Sequence, residues 1–240
     1  LVSIMYVNNE LGTINNIPKI GEVLKSKNIL FHTDAVQAVG KLKINLNELN
    51  CDFLSASAHK FHGPKGVGVL YVKEGLDLIP QITGGGQEKN LRAGTENISG
   101  IAGLGLALKI ATENLETKNN HIKNLENKLL KELNIKNLKF RRNGKNPVSG
   151  LCNITFFGAL GQTLLVNLDL AGIAISYGAA CASGSTKPSS IYSKINMPID
   201  EAECTVRISI CRFNTEDEIL TLSSQLLKII PKIKKEKTYA

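Results

Sequence analysis

The sequence has no tryptophan and only two methionines. It has no apolar run long enough to cross a bilayer, and no signal peptide is visible after Leu1. The five cysteines, Cys51, Cys152, Cys181, Cys204 and Cys211, include no C-x-x-C pair, which argues against zinc ribbons and thioredoxin-type redox sites. The four histidines include His59 and His62 but no H-E-x-x-H, which excludes a zincin. No resident metal is expected. An odd number of cysteines without a secretion signal points to free thiols in a reducing, cytoplasmic compartment. The net charge of +8 and the basic tail PKIKKEK would suit nucleic acid, but aromatic residues are not interleaved with the lysines. A solvated basic face is the better reading, and neither a nucleic-acid nor a membrane partner is expected. There is no internal repeat and no low-complexity segment. What remains is a 240-residue chain, 42% hydrophobic, sufficient for one large domain or two small ones.

The first part alternates strand and helix signals. SIMYV, ILFHTD, DFLSAS and GVGVLYV read as strands. PKIGEVLKSK reads as a helix, with Pro18 in its first turn and Ile20, Val23 and Leu24 at helical spacing. Alternation of this kind predicts an α/β layer with a largely parallel sheet. From Asn97 to about Asn134 the pattern is helical, as one long helix or two. LKFRR, LCNITFF, IAIS and TVRISI then read as strands. QTLLVNLDLAG reads as a helix ending at Gly172, and Thr215 with Glu218 reads as a capping box opening the last helix. The second half therefore reads as a small α+β domain.

Ligands of parallel sheets gather at the carboxyl ends of strands. Asn8, Asn9, Asp34, His59 and Lys60 all fall at such ends. Lys60, in SASAHKFHGPKG, is either an exposed loop lysine or an amine held for covalent chemistry. Asp34 can be the N-cap of a helix started by DAVQAVG. Ser57 and His59 lie on one face of an extended segment, where a hydroxyl and a ring N–H suit a dianion. Cys181 sits in GAACASGSTKPS among small residues, whereas Cys152, Cys204 and Cys211 have Val, Leu or Phe within two residues. It is therefore the candidate reactive thiol. Arg207, in TVRISI, would need an anion if buried in an apolar strand. A structural salt bridge is the other reading, and Arg212 is the alternative arginine.

Five segments in order, HTDAVQAVGK, SASAHKFHGPKG, RAGTEN, YGAACASGS and VRISICRF, resemble the cysteine desulfurases of the NifS and IscS type. These are class V aminotransferase-like enzymes of fold type I that use pyridoxal 5'-phosphate. The resemblance covers nearly the whole chain. It implies that residues 1–115 are the carboxyl-terminal part of the large α/β cofactor-binding domain. Residues 116–240 would be the small α+β domain with the catalytic cysteine loop. It implies that Lys60 carries the cofactor, Asp34 faces its ring nitrogen, and Gln37 and Asn9 meet its phenolic oxygen. Ser57 and His59 would hold the phosphate, and Thr95 would reach a partner's phosphate across a homodimer. Arg207 and Asn9 would meet the substrate.

The reaction implied is conversion of L-cysteine to L-alanine, with a persulfide formed on Cys181. The sulfur would pass to an iron–sulfur scaffold or another acceptor protein, and Cys181 could serve as a transient cluster ligand. Tyr177-Gly178 departs from the family's smaller residues before the cysteine loop. The family's phosphate-cradling turn and ring-stacking aromatic would lie upstream of Leu1, so an amino-terminally truncated chain is expected. Another fold type I enzyme, a selenocysteine lyase or transaminase, and an inactive scaffold piece are the alternative readings.

Overall fold

The structure is a computed structural model that describes residues 1–178 and 188–233. Residues 1–7 and 15–115 form one compact unit, and residues 8–14 join the chain from Glu116 onward in a second.

The first unit is built on a four-stranded sheet in the order β1 (Val2–Met5), β2 (Phe31–Asp34), β3 (Phe53–Ser57), β4 (Gly68–Val72). The first three strands are parallel and β4 is antiparallel. Helix α1 (Ile17–Ser26) connects β1 to β2. Its Asn16 cap accepts from the Lys19 N–H at 3.2 Å, and Pro18 stands in the first turn, where its missing N–H costs nothing. A short α2 (Leu46–Leu49) precedes β3. The run after Asn97 divides into α3 (Ile98–Thr112) and α4 (Leu115–Ile135), because Asn114 takes a left-handed φ of 51° between them. Helix α3 packs on the turn after β3 through small residues. A Cβ on Gly103 would stand 2.6 Å from a ring carbon of Pro64, so only glycine allows that approach.

The second unit holds an antiparallel sheet in the order β5 (Phe140–Arg142), β6 (Leu151–Phe156), β7 (Thr205–Ser209). Leu125, Leu129 and Leu133 of α4 recur every turn. They meet Ile154 and Phe156 of β6, Leu164 and Leu168 of α5 (Gly161–Leu170), and Leu222 and Leu226 of α8 (Glu216–Ile233) in one core. Helix α5 ends in a Schellman turn: Gly172 N–H donates to Asp169 O and Ile173 N–H to Leu168 O, both at 2.9 Å. The capping box at α8 forms, with Thr215 N–H on Glu218 Oε2 at 2.9 Å and Glu218 N–H on Thr215 Oγ1 at 3.3 Å. IAIS does not form a strand. After the Schellman turn, only Ser176 bridges to Arg207, so a single pairing replaces the expected ladder.

The other face of β6 is polar. Asn143 Nδ2 donates to Asn153 Oδ1 and to Thr155 Oγ1, and Asn153 Nδ2 donates to the Tyr192 hydroxyl at 2.9 Å. Tyr192 lies in α6 (Ser190–Lys194), which is followed by α7 (Ile199–Glu203). Burial dominates the Tyr192 environment and pushes its hydroxyl from 10.0 up to about 12. The Asn153 bond and Arg207 oppose the rise, and Glu10 and Tyr177 add to it. A folded-state value above the unfolded one gives stability that is complete below pH 10 and lost as pH rises through about 12. The expected loss across that window is about 2–3 kcal/mol. Denaturant midpoints measured from pH 9 upward should fall accordingly. Tyr192→Phe should flatten the decline, and an equal decline in that variant would assign it to other groups.

Candidate functional site

The register places Asp34 level with Met5 and with Ser55. Paired residues and their i+2 neighbours share a sheet face, so Ser3, Met5, His32, Asp34, Ser55 and Ser57 lie on one side. A ladder of hydrogen bonds crosses that side: Ser3 Oγ meets His32 Nδ1 at 2.7 Å, and His32 Nε2 meets Ser55 Oγ at 3.2 Å. It pins the register that brings Asp34 and Ser57 to the carboxyl edge. His32 and Ser55 were not predicted as site residues. Their only signal is the i+2 spacing from Asp34 and Ser57.

Asp34 ends β2 and does not open a helix. Its Oδ1 accepts from Val36 N–H at 2.9 Å, closing an Asx turn that fixes the carboxylate at the strand end. Gln37 lies in that turn, half-buried, and its Oε1 accepts from Lys41 Nζ at 2.9 Å. Ser57 Oγ and His59 Nδ1 stand 2.8 Å apart. Whichever of the two donates, one proton is left to face outward, which suits an oxyanion. Lys60 belongs to a 3₁₀ turn, Ala58–Phe61, that begins where β3 ends. Ala58 and Phe61 are buried and hold the turn, His59 is exposed, and Lys60 is half-buried. Thr95 is exposed in the loop before α3.

In the second unit, Arg207 Nη1 donates to Asn9 O at 2.9 Å and Nη2 to Ser176 Oγ at 3.1 Å. The Nε is buried without a partner, and among the described residues no carboxylate stands within ion-pair distance of this guanidinium. Two contacts therefore orient Arg207 without neutralising it. Arg212 stacks its guanidinium 4.7 Å from the Phe213 ring, a contact that Arg207 lacks, and its Nε is likewise buried without a partner. Glu10 is buried and accepts from Ser189 Oγ at 2.7 Å. Of the cysteines, Cys51, Cys152 and Cys204 are buried, and Cys211 is half-buried rather than a core residue. Burial pushes the thiols of Cys51 and Cys152 upward, and Glu126 adds to the effect at Cys152. Cys181 lies outside the described residues. Among the described residues no cluster could hold a metal ion, and no helix is long and apolar enough to cross a membrane.

A mainly parallel sheet with a carboxylate, an amine and anion donors at its carboxyl edge defines a pyridoxal-phosphate-dependent fold of the class V aminotransferase type. The chain belongs to the family described as Aminotransferase class-V, which matches residues 1–222. It is 45% identical over 99% of its length to cysteine desulfurase IscS of Clostridium botulinum (strain Hall) and covers 60% of that protein. A solved NifS-like protein superposes with a TM-score of 0.87 at 35% identity, over 96% of this chain and 61% of that one. SspA, solved in complex with cysteine, gives 0.72 at 36% identity, over 89% and 59%. The chain thus spans about 60% of the length of the curated relatives it matches. Pyridoxal phosphate is the cofactor of this family, and the donor set here fits it. The amine of Lys60 suits its aldehyde, the carboxylate of Asp34 its ring nitrogen, and the Ser57–His59 pair its phosphate.

Proposed function

We propose that the chain supplies the lysine-bearing and carboxylate-binding parts of a cysteine desulfurase that converts L-cysteine to L-alanine. The observation that carries this reading is the gathering of Asp34, Ser57, His59 and Lys60 at one carboxyl edge in a chain so similar to IscS. Residues 1–115 act as part of the large cofactor domain, and residues 116–240 as the small domain carrying Cys181. Lys60 would hold the cofactor, with Asp34 at its ring nitrogen and Gln37 and Asn9 at its phenolic oxygen. Ser57, His59 and a partner subunit's copy of Thr95 would hold its phosphate. When bound, the cofactor supplies an electron sink at the substrate's α-carbon. The freed Lys60 amine takes the α-proton, and Arg207 forks onto the substrate carboxylate. Cys181 attacks the substrate sulfur. A sulfur–sulfur bond forms as the carbon–sulfur bond breaks, the electron pair left on the substrate's β-carbon takes a proton, and Lys60 returns the α-proton to give alanine. The sulfur then passes to an acceptor protein for iron–sulfur cluster assembly, in a homodimeric, cytoplasmic enzyme.

The direct test feeds L-cysteine to the holoprotein carrying this chain. Alanine and transferable sulfur are expected in equal amounts. Formation of a keto acid dependent on an amino acceptor would make the protein a transaminase, and turnover confined to selenocysteine would make it a selenocysteine lyase.

Arg207→Ala is expected to weaken L-cysteine binding by about 2–5 kcal/mol while leaving the cofactor spectrum unchanged. An unchanged Michaelis constant would move the carboxylate contact to Arg212 or leave Arg207 a structural role.

A further inference from the structure

The turn after β2 contains a polar contact that the proposed function does not use. Lys41 Nζ donates to Gln37 Oε1 at 2.9 Å and to the Gln37 main-chain carbonyl at 3.2 Å. An ammonium has only donors, whereas a carboxamide has an accepting oxygen and a donating nitrogen. Only the oxygen can meet Nζ, so the Gln37 amide has one allowed orientation. Its N–H bonds are directed away from Lys41. The second contact, to the main chain, fixes where the ammonium sits and separates this pair from a loose surface contact.

The backbone holds the clamp in place. Gly40 has a φ of 75°, and a Cβ there would stand 3.0 Å from Phe61 Cβ and 3.1 Å from Ala111 Cβ. Phe61 is buried and follows Lys60 directly. The turn carrying Gln37 and Lys41 is thereby packed against the segment that carries Lys60.

We infer that Lys41 is a positioning residue that locks the Gln37 carboxamide with its donor outward, so that Gln37 meets an acceptor oxygen. Resting on the proposed function, that oxygen is the ionised phenolic oxygen of pyridoxal phosphate. A reversed amide would turn its own oxygen toward that anion and repel it. Lys41 therefore tunes the protonation of the lysine–cofactor link through Gln37. A donor on the phenolic oxygen favours the proton-poor form of the link, so losing the donor moves its titration to higher pH.

The test titrates the visible absorbance of the holoprotein carrying this chain, with borohydride trapping at Lys60 as proof of loading. Lys41→Met keeps the aliphatic stem and is expected to raise the midpoint by about half to one pH unit, roughly a 3- to 10-fold change in proton affinity. Lys41→Arg should restore most of the original midpoint, which controls for folding. Loss of a nearby positive charge would also raise the midpoint, so the cycle with Gln37→Leu decides between the two causes. In the Gln37→Leu background, Lys41→Met should add less than about 0.3 unit. A full additional shift in that background, or no shift from Lys41→Met alone, overturns the positioning role while the desulfurase reading stands. A midpoint unmoved by Gln37→Leu removes Gln37 from the cofactor and the proposal with it. Absence of any Lys60 adduct in the unaltered protein overturns the proposed function itself.

Discussion

Lys60→Ala is expected to abolish the lysine-linked colour of pyridoxal phosphate and to lower turnover by about 10³-fold or more. The 3₁₀ turn Ala58–Phe61 places this amine directly beyond β3, held on either side by the buried Ala58 and Phe61. Among the described residues no carboxylate lies within ion-pair distance of Lys60, so the amine is not committed to a salt bridge. Its neighbours along the turn are the Ser57 and His59 donors, which suit the phosphate of the same molecule. In the proposed mechanism the same amine serves as link and as proton acceptor, so one substitution removes both. The check is borohydride reduction followed by peptide mapping. A stable adduct on a different lysine of the Lys60→Ala protein, with turnover retained, would reassign the role.

Cys181→Ser is expected to leave the colour and the substrate-induced spectral change intact while sulfur release falls to the limit of detection. The described cysteines narrow the choice of nucleophile. The Cys152 thiol is fully buried, and burial together with Glu126 disfavours its thiolate. Cys51 is buried, and its thiolate is disfavoured by the same desolvation. Cys204 is buried as well. Cys211 is the only half-buried one among the described residues, and its N–H is held by Asn214 Oδ1 at 2.8 Å just past β7. The serine variant of Cys211 is therefore the control and should release sulfur normally. Loss of release in that control, with normal release in the Cys181 variant, would exchange the two assignments.

Much of the fold is legible because its signals are local. Pro18 stands in the first turn of α1, Thr215 and Glu218 box the start of α8, and Gly172 closes α5. Each is a backbone hydrogen-bonding need met within a few residues. The strands of the first unit are legible as short apolar runs, and their carboxyl ends are visible in the positions of Asp34 and Ser57. IAIS misleads because its composition is that of a strand while its start is consumed by the Schellman turn. Cys211 misleads because apolar neighbours in sequence do not guarantee burial at the end of a strand. The Lys41 clamp on Gln37 is invisible in sequence, since a glutamine and a lysine four apart read as an ordinary exposed helical pair. Arg207 was recognisable, but its anchor on the Asn9 carbonyl was not, because that contact joins residues remote in the chain.

The excursion of residues 8–14 into the second unit bears on modularity. Severing the chain at Leu115 would not yield two self-sufficient halves, because the second unit borrows a strap from near the start of the chain. The strap supplies the carbonyl that holds Arg207, the carboxylate that meets Ser189, and Leu11, which packs with Tyr192 and Ala202. A segment beginning at Glu116 would keep Arg207 yet lose the contact that aims it. Asn9 and Arg207, the two residues proposed to face the substrate, are thus tied by one bond, and an exchange of small domains between relatives would have to carry both ends of it.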